Sequence, residues 1–297
     1  MRDGQKQIVV FLFLAFLFST LPYFVIIHAG HLAAGGGLTV TLLMWCPGLA
    51  AFATCKMLRI DLALLGWSWR PSRYVAWAYL IPILYALPVY VITWIFVRGS
   101  WAFPAFAKQV GASFGFPGWS QTATFLLGLP LLASVALIGG MARTLGEEIG
   151  WRGFLLPRLV GQFGFTVGCL VSGCVWALWH YPVLLFADYN AGTNAAYALT
   201  CFTLMVFGDS FVFGWMRLRS NSVWPAAMLH ASHNVFVQAI LDRMTATAGR
   251  ALYITTEFGC GLVLTVGAAA LYFWTWRTLV ESATALDQAD PGAAQSL

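Results

Sequence analysis

Residues 144–158 read Thr-Leu-Gly-Glu-Glu-Ile-Gly-Trp-Arg-Gly-Phe-Leu-Leu-Pro-Arg, and they bring two adjacent carboxylates into a chain in which only 9% of residues are charged. On a helix, Glu148 and Arg152 are four residues apart and share one face, whereas Glu147 lies about 100° round from Glu148. One glutamate can therefore be held by the arginine while its neighbour faces a cavity. An apolar run at 123–142 precedes this stretch and another follows it, so the charges lie at or just inside a membrane boundary. Ionisable groups at such a depth usually face a bundle interior or a water-filled cavity.

The composition places the chain among membrane proteins. Hydrophobic residues make up 60% of the 297, aromatic residues make up 16%, and the mean hydropathy is +0.77. Soluble domains contain about 45–50% apolar residues. The long continuous apolar runs favour helices over the alternating strands of a membrane barrel. We therefore predict an all-α, polytopic membrane protein.

The apolar runs predict about eight transmembrane helices, since each membrane-spanning helix needs about 20 apolar residues. They form a single domain over residues 1–281, followed by a polar C-terminal tail at 282–297. Residues 98–122 are expected to be a long loop or an interfacial segment. The runs lie at about 8–29, 38–58, 75–97, 123–142, 163–186, 195–217, 222–241 and 256–278.

The distribution of basic residues predicts how the bundle is oriented. With eight spans, twelve of the 16 Lys and Arg lie on the side that carries both termini, and four lie on the other side. Because cytoplasmic loops carry the excess of Lys and Arg, we expect both termini in the cytoplasm. The scattered charge does not form the basic patch typical of nucleic-acid binding. We expect a multi-pass protein of the inner or plasma membrane of a bacterium, with membrane lipids as partners and no nucleic acid.

Polar side chains inside three predicted spans are candidate site residues. His180 lies in span five. His230 and Asn234 share one face of span seven, and His233 falls about 60° from that face. Three such groups in five residues are hard to attribute to packing, although an asparagine can also hold two helices together. Asp209 in span six is either a carboxyl hydrogen-bonded to a neighbouring helix or a further member of the site.

These residue types suit amide hydrolysis without a covalent intermediate. A carboxylate and a neutral imidazole can share a water and take its proton. A second imidazole and an asparagine amide can donate hydrogen bonds to the oxyanion that forms at a carbonyl carbon.

Three motifs occur in order along the chain: Glu-Glu-x-x-x-Arg at 147, 148 and 152, aromatic-x-x-x-His at 176 and 180, and His-x-x-x-Asn at 230 and 234. Together they resemble the ordered motifs of the CPBP family. That family contains the CAAX-processing prenyl endopeptidases, the bacterial Abi proteins and bacteriocin-immunity proteins, and its members are glutamic intramembrane proteases. The resemblance covers roughly residues 123–241, the expected catalytic core, and it implies an eight-helix bundle.

The resemblance also implies a role for each site residue. Glu147 and His180 would activate water, and His230 with Asn234 would form the oxyanion hole. Glu148 and Arg152 would support the site, and no cofactor or metal would take part. The substrate would be a peptide or protein, with or without a lipid group, cleaved near the cytoplasmic face. The chain departs from the family at Trp176, where many members have Phe, and at the additional His233.

Two other functions remain open at this point. One is a zinc-dependent intramembrane protease, because Glu147, Glu148, His180, His230 and His233 are ligand types that zinc accepts. The other is a non-catalytic membrane protein, an immunity or scaffold protein or a transporter, whose polar residues bind a partner or substrate without turnover.

Overall fold

The computed structural model describes residues 3–69, 72–190, 192–246 and 249–281. The predicted polar tail at 282–297, together with Arg2 and Arg70 of the charge count, lies outside the described residues. Within the described ranges the chain forms helices and no strand, and its isolated β-bridge joins Trp101 to Thr245. The predicted fold class, an all-α polytopic membrane protein, is confirmed.

The helices follow one another closely along the chain. The first four are α1 (Asp3–Ala29), α2 (Leu38–Leu58), α3 (Ser72–Phe96) and α4 (Phe103–Ser113). The next run alternates α-helix with π-helix: α5 (Gln121–Ala123), Thr124–Gly128 (π), α6 (Leu129–Leu131), Leu132–Ala136 (π), α7 (Leu137–Glu148), Ile149–Leu155 (π) and α8 (Leu156–Phe186). The last elements are α9 (Ala195–Ser220), α10 (Trp224–His233), Asn234–Leu241 (π) and α11 (Cys260–Thr275).

Five helical runs in the described part of the chain are long and apolar enough to cross a membrane: Asp3–Ala29, Ala34–Leu58, Arg73–Phe96, Gln121–Phe186 and Ala195–Ser220. The first of these presents many exposed apolar side chains, as a lipid-facing helix does; Phe13, Leu21 and Phe24 are examples. Shorter apolar helices accompany these runs. The chain is thus a multi-pass membrane protein.

The run Gln121–Phe186 has 66 residues, which as one straight helix would measure about 100 Å against about 30 Å of hydrocarbon. It breaks at Gly164, whose φ of 77° and ψ of 171° are accessible to glycine and costly for other residues. If this run is divided at Gly164, the five runs become six. Residues 224–241 and α11 then bring the number to the eight predicted spans. The count of eight stays a prediction.

Hydrogen bonds between connecting segments define two ends of the bundle. The terminal end contains Asp3 and Glu281, and it is tied by Arg158 Nε to Gln7 Oε1 (2.8 Å), Val223 N to Gly66 O (2.8 Å) and Trp215 Nε1 to Trp276 O (3.1 Å). The loop end is tied by Leu32 N to Asp188 Oδ1 (2.8 Å), Ala246 N to Ser100 O (2.8 Å) and Tyr197 Oη to Tyr253 O (2.5 Å). By the charge count, the terminal end is the one expected in the cytoplasm.

Candidate functional site

A cavity of about 150 Å³ lies between α2, α7, α8, α9 and the α10 region. Four of the predicted site residues line it, namely Glu147, His180, His230 and Asn234. One water takes up about 30 Å³ in the liquid, so the cavity has room for water beside these side chains. Side chains that are far apart in sequence, and that come from three separate helical segments, therefore meet around one space.

Glu147 enters the cavity from the last turn of α7 and is only 2% exposed. The indole Nε1 of Trp176 donates a hydrogen bond to Oε2 of Glu147 at 2.9 Å. This contact holds one carboxylate oxygen and leaves Oε1 for a molecule in the cavity. From the sequence, Trp176 stood out only as the aromatic position of the second motif, so its hydrogen bond is an addition from the structure.

Glu148 and Arg152 are completely buried outside the cavity lining. Nη1 of Arg152 donates to Oε1 of Glu148 at 3.1 Å, and Nδ1 of His230 lies 2.8 Å from the same oxygen. The guanidinium group lies 3.9 Å from the ring centre of Trp176 and 4.3 Å from that of Phe213, at distances typical of cation–π contacts. Glu148 thus fixes the orientation of His230 and leaves its Nε2 as the ring nitrogen available to the cavity.

His180 is oriented by its own helix. Its Nδ1 lies 2.9 Å from the main-chain oxygen of Trp176. A carbonyl oxygen can only accept, so Nδ1 carries the hydrogen and Nε2 of the neutral ring has a free lone pair. The imidazole also packs against Trp179 and Phe202, with ring centres 4.9 and 5.1 Å away. His180 is therefore set up as a proton acceptor at Nε2.

Both helices that carry the outer motifs change from α to π geometry at the motif. The change comes directly after Glu148 in one helix and directly after His233 in the other. A π-helical turn contains an extra residue, which rotates the following side chains about the axis, and such turns are frequent at functional sites. The sequence predicts α-helical spacing throughout. Arg152 does contact Glu148, but it does so across a π-helical turn.

Glycines allow α2 to approach the two glutamates closely. A Cβ on Gly146 would lie 2.7 Å from Cα of Trp45, and a Cβ on Gly150 would lie 2.5 Å from Cβ of Pro47. Neither position can accept a side chain without a shift of the backbone. These two glycines flank Glu147 and Glu148 in sequence, so the fit of α2 determines where both carboxylates lie.

His233 belongs to a second polar group on the cavity wall. Its Nε2 lies 3.0 Å from Oε1 of Glu257, its Nδ1 contacts the hydroxyl of Tyr85, and the hydroxyl of Tyr189 donates to Oε2 of Glu257 at 2.6 Å. Both nitrogens of His233 are therefore bonded. Glu257, Tyr189 and Tyr85 were not among the residues predicted from the sequence, because they lie in no motif. An isolated acid at the start of an apolar run was the one available signal for Glu257.

Asp209 also lines the cavity and is 3% exposed. The sequence left open a hydrogen bond to a neighbouring helix, but its Oδ1 has no hydrogen-bond partner among the residues that the structure describes.

The cavity extends to the loop end of the bundle, where Leu32, Tyr189 and Glu257 line it. A neighbouring cavity of about 280 Å³ among the loop-end segments shares Tyr189, Gln238 and Glu257 with it. Burial raises the pKa of Asp242 in this second cavity to about 7, although the Tyr90 hydroxyl donates a hydrogen bond to its carboxylate. The two spaces together outline a route from the loop end to Glu147.

The polar groups do not form a metal-binding set. No group of three or more His, Cys, Asp and Glu side chains suited to one ion occurs in residues 3–69, 72–190, 192–246 and 249–281. Glu148 and Glu257, moreover, are each already bonded to a histidine.

Comparison with known proteins agrees with the motifs. Residues 129–236 match the model of a family described as type II CAAX prenyl endopeptidase Rce1-like, and all six predicted site residues fall within this range. A relative is the CAAX prenyl protease 2 of Methanococcus maripaludis, which is 25% identical over 88 residues. That alignment covers 28% of this chain and 32% of the relative, so the chain matches about a third of the relative's length. The recognition from three ordered motifs is thereby confirmed, and the motif-bearing region of this chain is similar to the type II CAAX prenyl endopeptidases.

Proposed function

We propose that the protein is a membrane-embedded endopeptidase in which a water held between Glu147 and His180 attacks the carbonyl carbon of a peptide bond. The observation that carries the proposal is the meeting of Glu147, His180, His230 and Asn234 around one cavity. Two acceptors face that cavity, Oε1 of Glu147 and Nε2 of His180. An acceptor pair of this kind can orient a water and remove its proton as it attacks.

The steps balance without a metal or a covalent enzyme intermediate. The water oxygen bonds to the carbonyl carbon while its proton passes to Glu147 or His180. The carbonyl oxygen becomes an oxyanion, which the Asn234 amide and Nε2 of His230 stabilise by donating hydrogen bonds. The C–N bond then breaks as the held proton passes to the leaving nitrogen.

His230 can donate from Nε2 while Nδ1 also donates to Glu148 only when both ring nitrogens carry hydrogen. Nδ1 of His230 lies 2.8 Å from Oε1 of Glu148, and Nη1 of Arg152 donates to the same oxygen at 3.1 Å. Glu148 and Arg152 therefore act through His230, not on the substrate.

The substrate we propose is a peptide or protein that carries a prenyl group, as the names of the matching family and relative indicate. The bond reaches Glu147 from the loop end, through the space lined by Tyr189 and Glu257. The charge count predicts that the loop end faces away from the cytoplasm. The expected cleavage near the cytoplasmic face and the expected cytoplasmic location of both termini therefore cannot both hold. A labelling experiment decides between them.

In that experiment the exposed Cys174 and Cys260 are first replaced by alanine. Single cysteines are then introduced at the exposed Arg59 and Arg250, at opposite ends of the bundle, and intact cells are treated with a membrane-impermeant maleimide. Labelling of the Arg250→Cys protein alone agrees with the charge count and puts the loop end outside. Labelling of the Arg59→Cys protein alone indicates the opposite orientation, in which the loop end and the proposed cleavage lie on the cytoplasmic side.

The main test uses protein reconstituted in lipid vesicles and a fluorogenic peptide whose cysteine, fourth from the C-terminus, is farnesylated. Glu147→Gln should remove cleavage while leaving the thermal unfolding transition in place. Glu281→Gln, which changes an exposed acid at the terminal end, is the matched control and should cleave normally. Equal cleavage by wild type and Glu147→Gln contradicts the proposal.

The non-catalytic alternative is tested with His230→Ala and Asn234→Ala. If the protein only binds its partner through a packed polar site, both variants should retain their effect on that partner. If it hydrolyses peptides, turnover should be lost while the peptide still binds.

A further inference from the structure

Among the acids near the cavity in the described part of the chain, Asp209 is the one whose carboxylate no other side chain holds; Glu148 also has an unbonded oxygen, Oε2, but its Oε1 is bonded. Glu147 accepts from Trp176, Glu148 contacts Arg152 and His230, and Glu257 accepts from Tyr189 and contacts His233. Asp209 is as buried as these acids and lines the same cavity, yet its Oδ1 has no hydrogen-bond partner among the described residues. The next side chain along the helix, Ser210, donates to the main-chain oxygen of Val206 instead.

A buried carboxylate without a donor destabilises the folded state, because it loses water and gains no hydrogen bond in exchange. An apolar side chain at this position would avoid that loss. Asp209 lines the space in which the proposed chemistry occurs, so a ligand in the cavity can supply a donor to this carboxylate.

The surroundings of Asp209 indicate what kind of donor fits. The charged or titratable groups that act on it are His233, Arg152 and His230, together with the acid Glu257. Each of these three side chains already contacts another carboxylate, Arg152 and His230 through Glu148 and His233 through Glu257, and none of them donates to Asp209. A main-chain N–H group is a donor that a bound peptide can supply, since a peptide carries one on nearly every residue.

We propose that Asp209 is a substrate-binding residue that accepts a hydrogen bond from a main-chain N–H of the peptide. The inference rests on the proposed peptidase function. It adds an acceptor for the peptide N–H to the donors, His230 and Asn234, that receive the carbonyl oxygen. Asp209 thus helps to hold the peptide, while Glu147 and His180 act on the water.

Peptide binding is measured first, without turnover, by titrating the farnesylated peptide into Glu147→Gln protein in vesicles. In this background Asp209→Leu should weaken binding about tenfold to 100-fold, the range for losing a hydrogen bond to a charged group. Asp209→Asn should bind with intermediate affinity, because its amide oxygen still accepts. Ser210→Ala, an equally buried neighbour on the same helix, is the control and should bind as its parent does.

The thermal unfolding temperature is a second measurement, and a purely structural role of Asp209 predicts the opposite change in it. Asp209→Leu and Asp209→Asn should unfold at the parent temperature or above it, because each removes an unpaired buried carboxylate. If Asp209 is instead a packing residue, both variants should unfold at a lower temperature and bind the peptide normally. That result overturns the inference, as does binding by Asp209→Leu within twofold of Ser210→Ala.

N-methylation of single peptide nitrogens identifies the donor. One methylated position should weaken binding to the protein with Asp209 and have no effect on the Asp209→Leu protein. Absence of such a position contradicts the inference. If the wild type binds the peptide in an Asp209-dependent way but does not cleave it, the peptidase proposal fails and this inference stands. If the Asp209 variants cleave and bind the peptide normally, this inference fails and the peptidase proposal stands.

Discussion

His230 and His233 are three residues apart on α10, and each contacts a buried carboxylate. Glu148 comes from α7 and lies 2.8 Å from His230, and Glu257 comes from the segment before α11 and lies 3.0 Å from His233. The two pairs look alike as isolated contacts. They differ in what surrounds them, and from that difference we infer that the His230 pair belongs to the proposed site and that the His233 pair holds the bundle together.

The carboxylate beside His230 has a second charged partner, and the imidazole keeps one nitrogen for the cavity. Glu148 is also bonded to Arg152. In the other pair both imidazole nitrogens are bonded, and Glu257 has the neutral Tyr189 as its further donor. We therefore expect the His230 pair to determine turnover and the His233 pair to determine stability.

The largest expected effect is on turnover by His230→Gln. Removing one oxyanion donor costs about 10² to 10³ in kcat. Glu148 keeps Arg152, so the variant should remain folded. The measurement is kcat with the farnesylated peptide in vesicles, with thermal unfolding alongside. A kcat within threefold of wild type contradicts the role assigned to His230.

The complementary substitution, His233→Gln, should reverse the pattern. Glu257 loses the partner that ties the loop end to α10, and a buried group left without its partner costs about 1–3 kcal/mol of stability. We expect a lower unfolding temperature, with kcat per folded molecule changed less than by His230→Gln. Loss of turnover at unchanged stability would instead assign His233 to the reaction and remove the contrast between the pairs.

Gly146→Ala should disturb the His230 pair indirectly, by changing the packing of α7 against α2. Its Cβ would meet the backbone of α2 at 2.7 Å, and overpacking of this kind costs about 1–3 kcal/mol. Gly139→Ala is the matched control: it lies on the same helix with nothing within 4 Å of an added Cβ. The control should unfold at the wild-type temperature or above. Equal unfolding temperatures for the two variants contradict close packing at this point.

A smaller effect is expected of Trp176→Phe, which keeps an aromatic ring and removes the N–H that holds Glu147. The variant tests the one motif position at which this chain departs from many family members. Loss of a hydrogen bond to a carboxylate corresponds to about tenfold in kcat. Trp274→Phe removes a comparable indole donor, whose partner is Thr166, far from the cavity, and should leave kcat unchanged. Identical kcat values for the two variants contradict a role for the Trp176 N–H.

The sequence was sufficient for the helices whose ends carry their own signals. The predicted span at 38–58 coincides with α2, which follows three glycines at positive φ, Gly35, Gly36 and Gly37, and ends beside Lys56 and Arg59. The motif residues were found for the same reason, since charge and imidazole in apolar helices are rare enough to stand out. In both cases the informative residues are neighbours in sequence.

Features that depend on contacts between distant segments could not be predicted. The helix continues from the span at 123–142 to Glu147 without a break, because glycine contacts with α2 bury the two acids. The π-helical turn after Glu148 adds a residue that α-helical spacing does not anticipate. The partnership of Glu257 with His233 spans 24 residues and joins a loop to a helix. Each of these features is determined by packing between segments that are distant in sequence. The spacing of neighbouring residues therefore does not predict it.

The smallest expected effect is that of a metal chelator, and it tests a property that the two pairs share. In each pair the histidine and the carboxylate already contact each other, so we expect neither pair to bind a zinc ion through both groups. Arg152 beside Glu148 also repels a further cation. Cleavage by the reconstituted protein should be unchanged after dialysis against a strong chelator, with metal content measured on the same sample. If activity falls with the zinc content and returns when zinc is added back, the Glu147–His180 water mechanism must give way to the metal-dependent one. A fall in activity that zinc does not restore, accompanied by a lower unfolding temperature, would report damage to the bundle instead.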